Sequence, residues 1–210
     1  MIEESKRVPR KFRKSNKTFV QRVFHEQEDK HTLGFLAFPK RVSFFGKDSD
    51  EDIVFIARKH WIAYVPDLLF ILLVLLLPLL LFLLSTNFAL KTSPALHLGV
   101  LLLSVGVAWT LATTTLLKWY YTVHIVTDQR IIIIQMNSAL YHSYSEAQLE
   151  KIEDINHRHV GFLGTFFDVG NLDVDTAGHG VDFTLNMLPR PREIQDILND
   201  LLEMKQKGEI

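Results

Sequence analysis

The sequence predicts an α+β membrane protein: a two-helix transmembrane hairpin followed by a small antiparallel β-barrel with a C-terminal capping helix. Three observations carry this. No side chain is charged between Asp67 and Lys91, and none between Lys91 and Lys118. From Trp119 the long apolar runs give way to short stretches rich in β-branched and aromatic residues, spaced as strands. Beyond Pro191, Ile194, Ile197, Leu198 and Leu201 recur at the spacing of one helix face.

Each uncharged stretch is long enough to cross a hydrocarbon core of about 30 Å, which takes about 20 apolar residues in a helix. Leu68 to Leu84 is unbroken Leu, Ile, Val and Phe apart from Pro78. A buried helical pair in a soluble core is the alternative, but such helices keep a polar stripe and this run has none. Trp61 and Tyr64 precede the first span, and Trp119, Tyr120 and Tyr121 follow the second, where amphipathic rings favour the headgroup layer. Backbone in lipid must satisfy its own hydrogen bonds, so both spans are expected as helices, at about 62–85 and 95–117.

Orientation follows from basic residues near the span ends. Arg41, Lys47, Arg58 and Lys59 precede the first span and Lys118 and Arg130 follow the second, whereas the loop from Ser85 to Pro94 holds Lys91 alone. The bias places both termini in the cytoplasm. The first apolar run starts some sixty residues in and lacks a small-residue cleavage site, unlike a secretory signal. A multi-pass protein of a prokaryotic plasma membrane is the expectation, with an organelle membrane as the other setting.

The chain has no cysteine, which removes disulfides, thiolate metal sites and cysteine nucleophiles. Its net charge of -1 hides a split: residues 1–60 carry 14 Lys/Arg against 9 Asp/Glu, and residues 118–210 carry 8 against 14. Lys6, Arg7, Arg10, Lys11, Arg13, Lys14, Lys17 and Arg22 fall within the first 22 residues. Such a run reads as a solvated, partly disordered tail or as a membrane-docking arm, since each basic residue near anionic lipid adds about 1 kcal/mol. With Arg58, Lys59, Trp61 and Trp119 these eight form the expected membrane-surface contacts. Nucleic acid is not an expected partner, because no fold motif accompanies the charge. Phe35 to Phe45 mixes aromatic and basic residues, as an interfacial segment or a segment packed on the following domain would.

Along the domain, Tyr120 to Thr127 and Arg130 to Met136 read as two strands joined by a tight turn at Asp128-Gln129. Ala139 to Ser145 and Ile152 to Val160 follow. After a loop around Gly161 to Gly164, Leu172 and Val174 alternate with Asp173 and Asp175, and Val181, Phe183, Leu185 and Met187 share a face. Pro191 suits the first turn of the last helix. The expected organisation is a basic, partly disordered arm with an interfacial segment (1–60), two spans (61–118) and the barrel domain (119–206).

Several of these stretches resemble the bacterial PH-like, membrane-flanked domain family. They are the lead-in Glu51-Asp52-Ile53-Val54 to Arg58-Lys59-His60-Trp61, then Tyr121-Thr122-Val123, Thr127-Asp128-Gln129-Arg130-Ile131-Ile132 and Gly170-Asn171-Leu172-Asp173-Val174-Asp175-Thr176-Ala177-Gly178. The resemblance spans residues 50–202 and implies a pleckstrin-homology-like barrel on the cytoplasmic face. It implies no activity, because this fold hosts unrelated functions. Lipid-reading PH domains need a basic pocket, whereas this domain is acidic and its first hairpin turn offers Arg130 alone.

No catalytic residue, metal site or cofactor is expected. His157 and His159 share a strand face and His179 could approach Asp173 or Asp175, yet the set lacks a fixed third ligand. Asp173 and Asp175 read as a solvated face without a nucleophile nearby. Gly161-Phe162-Leu163-Gly164 lacks the Lys-Ser/Thr pair of a phosphate loop. Asp67 heads the first span and could pair with Lys118 or His60. The favoured function is a non-enzymatic, membrane-anchored interaction or scaffold module that binds a protein partner or a second copy of itself. The alternatives are a lipid-binding domain or a subunit of a small oligomeric transporter or channel. Gly99, Ser104, Gly106, Ala108 and Thr110 to Thr115 suit close helix contact in such a homo-oligomer.

Overall fold

The computed structural model describes residues 8–9, 11–12, 17–28, 34–39, 42–44, 46–88, 92–138, 141–177 and 183–210. The chain divides into two compact units. One comprises residues 1–60, 121–135 and 142–210, and the other residues 61–120 with 136–141.

The first unit opens with helix α1 (Lys17–Glu28) and strands β1 (Leu36–Ala37) and β2 (Ile53–Arg58). After the second unit come β3 (Val123–Thr127), β4 (Arg130–Ser138), β5 (Tyr141–Gln148) and β6 (Ile152–His159). The chain finishes with α4 (Gly161–Phe166), β7 (Val169–Thr176), β8 (Phe183–Pro189) and α5 (Pro191–Gln206). The strands form a five-stranded sheet in the order β1-β2-β3-β4-β5 and a three-stranded sheet in the order β6-β7-β8. The pairings described are antiparallel. This is a correction to the single barrel expected from the sequence: among the described residues no ladder joins the two sheets.

A second difference lies upstream. Residues 17–28 and 53–58 are structural parts of the folded unit. β2 pairs with β3 from Ile53↔Thr127 to Arg58↔Val123, with a register shift between Ile53 and Phe55. Phe19 and Val23 of α1 enter the same core as Val126, Leu172 and Leu198. The physical reason is α1's apolar face: Phe19, Val20, Val23 and Phe24 sit at helical spacing and need a partner surface.

Four consecutive isoleucines on β4 alternate between faces. Ile131 and Ile133 join the main core, while Ile132 packs with Ile53, Ile56 and Ile125 beneath Val42 and Phe44, Ile134 lying against that cluster. A strand covered on both faces reads as an unbroken apolar run. α5 turns Ile194, Ile197, Leu198, Leu201 and Met204 into the core.

The second unit holds a 3-10 turn (Trp61–Tyr64) and helices α2 (Val65–Asn87) and α3 (Pro94–Tyr121). Both helices are long and apolar enough to cross a membrane, and their large apolar side chains are mostly exposed. α3 runs four residues past the expected end at 117, so Trp119 to Tyr121 are helical and the following strand starts at Val123. Of the small residues on α3, Ser104, Ala108 and Thr115 are buried, while a side chain at Gly99 or Gly106 would meet open space. The hydroxyls of Thr110 and Thr113 donate to carbonyls of their own helix, at Gly106 and Trp109. Ser85 Oγ lies 3.2 Å from His97 Nε2, linking α2 to α3.

Candidate functional site

The chain leaves the first unit after His60 and returns at Tyr121, and the strands on either side of this excursion are neighbours. Arg58, at the end of β2, is the register partner of Val123, at the start of β3. The His60 N–H donates to the Met187 carbonyl at 2.8 Å, tying this root to β8. Ala57, His124 and Ile133 are register partners across three strands, and Ala57 and Ile133 belong to the main core. His124 is fully buried, and its ring nitrogens make no hydrogen bond of normal geometry, the Asn186 backbone being the polar group that interacts with the ring. Burial first, and the nearby Lys59 charge second, lower its pKa from 6.5 to about 3, against a weaker opposing pull from the Asn186 backbone. Burial likewise lowers the Lys59 ammonium. The imidazole therefore stays neutral in the folded state.

The β6–β7 connection lies at the same end of this unit. Val169 pairs with Pro189 and Gly170 with Leu188, next to Met187, which receives the His60 N–H. Before Val169 the chain makes α4 and runs from Val160 to Phe167 without a charge. Phe162 is 82% exposed and Phe166 73%, with Val160, Leu163 and Phe167 also exposed. Phe162 and Phe166 stack at 6.4 Å and Phe166 meets Phe167 edge-on at 5.0 Å. Gly161 supplies a φ of +64°, and a Cβ on Gly164 would come within 2.7 Å of the Val169 carbonyl oxygen, so the turn needs glycine at both positions. His159 Nε2 sits 2.9 Å from Asp168 Oδ1 and closes the base of the loop.

At the other end, the β3–β4 turn is held by ions. Arg130 Nε and Nη2 donate to Glu51 Oε1 and Oε2 at 3.0 and 2.9 Å, and Nη1 donates to Glu146 at 3.0 Å. Burial pushes the Glu51 pKa up, but hydrogen bonds from Arg130, Thr127 and the Asp48 backbone, together with the Arg130 charge, outweigh it and lower the pKa overall. Lys11 Nζ donates to Asp128 Oδ2 at 2.7 Å. Between the sheets lies an open cavity of about 610 Å³ lined by Gln135, Ser143, Ser145, Gln148, Thr176, Thr184 and Asn186, with Ile133, Ala147 and Phe183 as its apolar part and Glu146 and Lys151 as its charges. Amides and hydroxyls of this kind suit hydrogen bonding to a polar ligand or a peptide; with no nucleophile activated by a base, the described residues offer no catalytic arrangement.

The residues singled out from sequence scatter over this frame. Lys11 is ion-paired, as is Arg22, which meets Asp200 at 2.6 Å; both contacts stay within the folded unit. Lys17 is exposed, Arg58 and Lys59 are half-buried at the root, Trp61 is exposed and Trp119 half-buried. Lys6, Arg7, Arg10, Arg13 and Lys14 lie outside the described residues, as does His179. His157 and His159 pack ring to ring at 6.0 Å, but His157 contacts Gln195 and His159 contacts Asp168. Asp173 accepts from Thr184 and pairs with Arg158. Among the described residues no three His, Cys, Asp or Glu side chains gather as metal ligands. Sequence reasoning missed the aromatic turn, although its signal, eight uncharged residues with three phenylalanines, was present.

The bacterial PH domain family matches residues 61–202. The chain belongs to this family. A solved structure of a DUF1696 family protein with a pleckstrin-homology domain, from Shewanella loihica PV-4, is similar at 16% identity with a TM-score of 0.31, over 39% of this chain and 70% of that one. Comparison with curated proteins gives no match. The matched region of this bacterial PH domain starts at Trp61, so β2 lies outside it although it forms part of the same sheet. A PH-like domain points to an interaction or scaffold module, and no enzymatic family is indicated.

Proposed function

We propose that this protein is a membrane-anchored interaction module: α2 and α3 cross the bilayer as a two-pass hairpin and hold the PH-like unit at the cytoplasmic face of a plasma membrane. The observation that carries this reading is the adjacency of β2 and β3. Both ends of the apolar excursion emerge from one pair of hydrogen-bonded strands, at Arg58 and Val123, so both ends lie on one side of any membrane the helices cross. That demands an even number of spans, and two candidate helices are present. The Lys/Arg bias then supports the cytoplasm for that side. Arg58, Lys59, Trp61 and Trp119 are the residues of this root that would meet the surface.

The ligand of the module is a protein partner. β5 is a terminal strand of its sheet, and beside it the cavity lined by amides and hydroxyls offers hydrogen bonds to an extended polypeptide. A transport role has less support, because the hydroxyls of Thr110 and Thr113 on α3 bond within their own helix.

Because the natural chain is free of cysteine, single substitutions give a clean topology test. In intact cells Asn87→Cys should react with a membrane-impermeant maleimide, and Glu150→Cys only after permeabilisation. Reaction of both from the same side would overturn the two-pass reading.

A further inference from the structure

We propose that the aromatic turn Val160–Phe167 is a second membrane contact, dipping Phe162 and Phe166 into the headgroup layer beside the root of the hairpin. The inference rests on the membrane reading above and adds a site to it. Large exposed apolar patches on a folded domain mark contact surfaces. Here the patch is contiguous: two stacked phenylalanines, a third edge-on, and Val160 and Leu163 beside them.

Three features select a lipid surface as the occupant. The turn has no charge and almost no polar side chain, Thr165 excepted, and that hydroxyl donates to the Gly161 carbonyl. It therefore offers nothing for directional recognition of a protein, while its rings suit the boundary between headgroups and chains. Its position is the second feature. His60, the last residue before the apolar helices, bonds Met187, and the neighbouring Leu188 and Pro189 pair with Gly170 and Val169 directly behind α4. The turn is thus continuous with the end of the unit from which the hairpin departs. The third feature is its flanks: Arg158 on one side and Arg190 on the other bracket the apolar tip with cations suited to lipid phosphates, though Arg158 is shared with Asp173 and Arg190 with Glu26. The turn is also built to hold its shape, with Gly164 packed against the Val169 carbonyl and the His159–Asp168 contact at its base.

The test uses the full chain in nanodiscs of phosphatidylcholine and phosphatidylglycerol, with an environment-sensitive fluorophore on one introduced cysteine at a time. Leu163→Cys should show a blue-shifted emission that is quenched by lipids carrying a shallow doxyl group, the depth expected being about 5–10 Å. Glu150→Cys, near the opposite turn, should show neither effect. Phe162→Ser with Phe166→Ser, which removes no buried side chain, should abolish the quenching at the Leu163 label while leaving the fold intact by circular dichroism. Leu76→Cys at the middle of α2, read with lipids carrying a deep doxyl group, reports separately on the hairpin. Quenching at Leu76 without quenching at Leu163 overturns this inference alone, and no quenching at Leu76 overturns the membrane reading itself. Quenching at Leu163 that survives the double serine variant also overturns it, because the phenylalanines would then not be what reaches the lipid.

Discussion

His124 makes stability depend on pH in a range where few other groups titrate. Its folded pKa is depressed, from 6.5 to about 3. A base whose folded pKa is lowered takes up protons more readily when unfolded, so stability is full above the unfolded value and falls as pH drops through 6.5. With one pKa unit equal to about 1.36 kcal/mol, and the imidazole fully buried, the loss between pH 7 and pH 5 comes to about 2 kcal/mol. The facing groups are Lys59, which repels the imidazolium, and the Asn186 backbone, which weakly favours it. His124→Leu removes the titration and also the two buried ring nitrogens, so the variant should match or exceed the parent at neutral pH. The assay is urea unfolding of the full chain in detergent micelles, followed by the far-ultraviolet signal of the sheets. The parent should lose about 2 kcal/mol more than His124→Leu between pH 7 and pH 5. Equal losses would refute the buried neutral imidazole. Lys59→Met should flatten the parent's acid limb only in part, because burial outranks the lysine charge.

Two further outcomes test the frame around the site. Glu51→Gln removes the carboxylate that accepts from Arg130 Nε and Nη2 and leaves the guanidinium to Glu146, and should cost about 2 kcal/mol in the same unfolding assay. Because the Glu51 pKa is lowered in the fold, its contribution is present above 4.5 and lost as pH falls below that value, so the variant should lack this part of the acid slope. Leu198→Ala empties a fully buried position on α5 and should cost about 2 to 5 kcal/mol, whereas a cost below 1 would show that α5 does not close the core.

The parts of the fold legible in the sequence are those whose signal is local. α5 announces itself by Pro191 and four apolar residues at helical spacing, the β3–β4 turn by Asp128-Gln129, and α2 and α3 by length alone. The two-sheet arrangement was less legible because strand spacing fixes faces and not which edges meet. α1 was hidden by charge: eight basic residues in 22 read as an arm, while Phe19, Val20, Val23 and Phe24 at helical spacing carried the packing information. Lys11 and Arg22 satisfy acids of the folded unit, Asp128 and Asp200, so part of the charge split between the two ends of the chain is an internal complementarity. The aromatic turn read as a plain loop because its glycines drew attention and its phenylalanines have no strand or helix period.

The pairing of β2 with β3 was the least legible feature, and its reason is physical. Arg58 and Val123 are register partners with two apolar helices between them in sequence, so no local window contains both strands. Closing a flexible loop of that length would carry an entropic cost that grows with the logarithm of its length. A helical hairpin changes the problem, because forming α2 and α3 returns the chain toward its starting point before any sheet exists. The connections are short: Lys59 and His60 separate β2 from the 3-10 turn, and Thr122 alone separates α3 from β3. On the membrane reading, hairpin insertion would come first and bring β2 to β3. The five-stranded sheet, and with it the core that α1 and α5 share, would follow. A PH-like unit whose first long strand lies upstream of its anchor is then hard to detach from that anchor: release of residues 121–210 alone leaves β3 with an open edge where β2 belongs, and an uncovered edge of that kind is prone to aggregate.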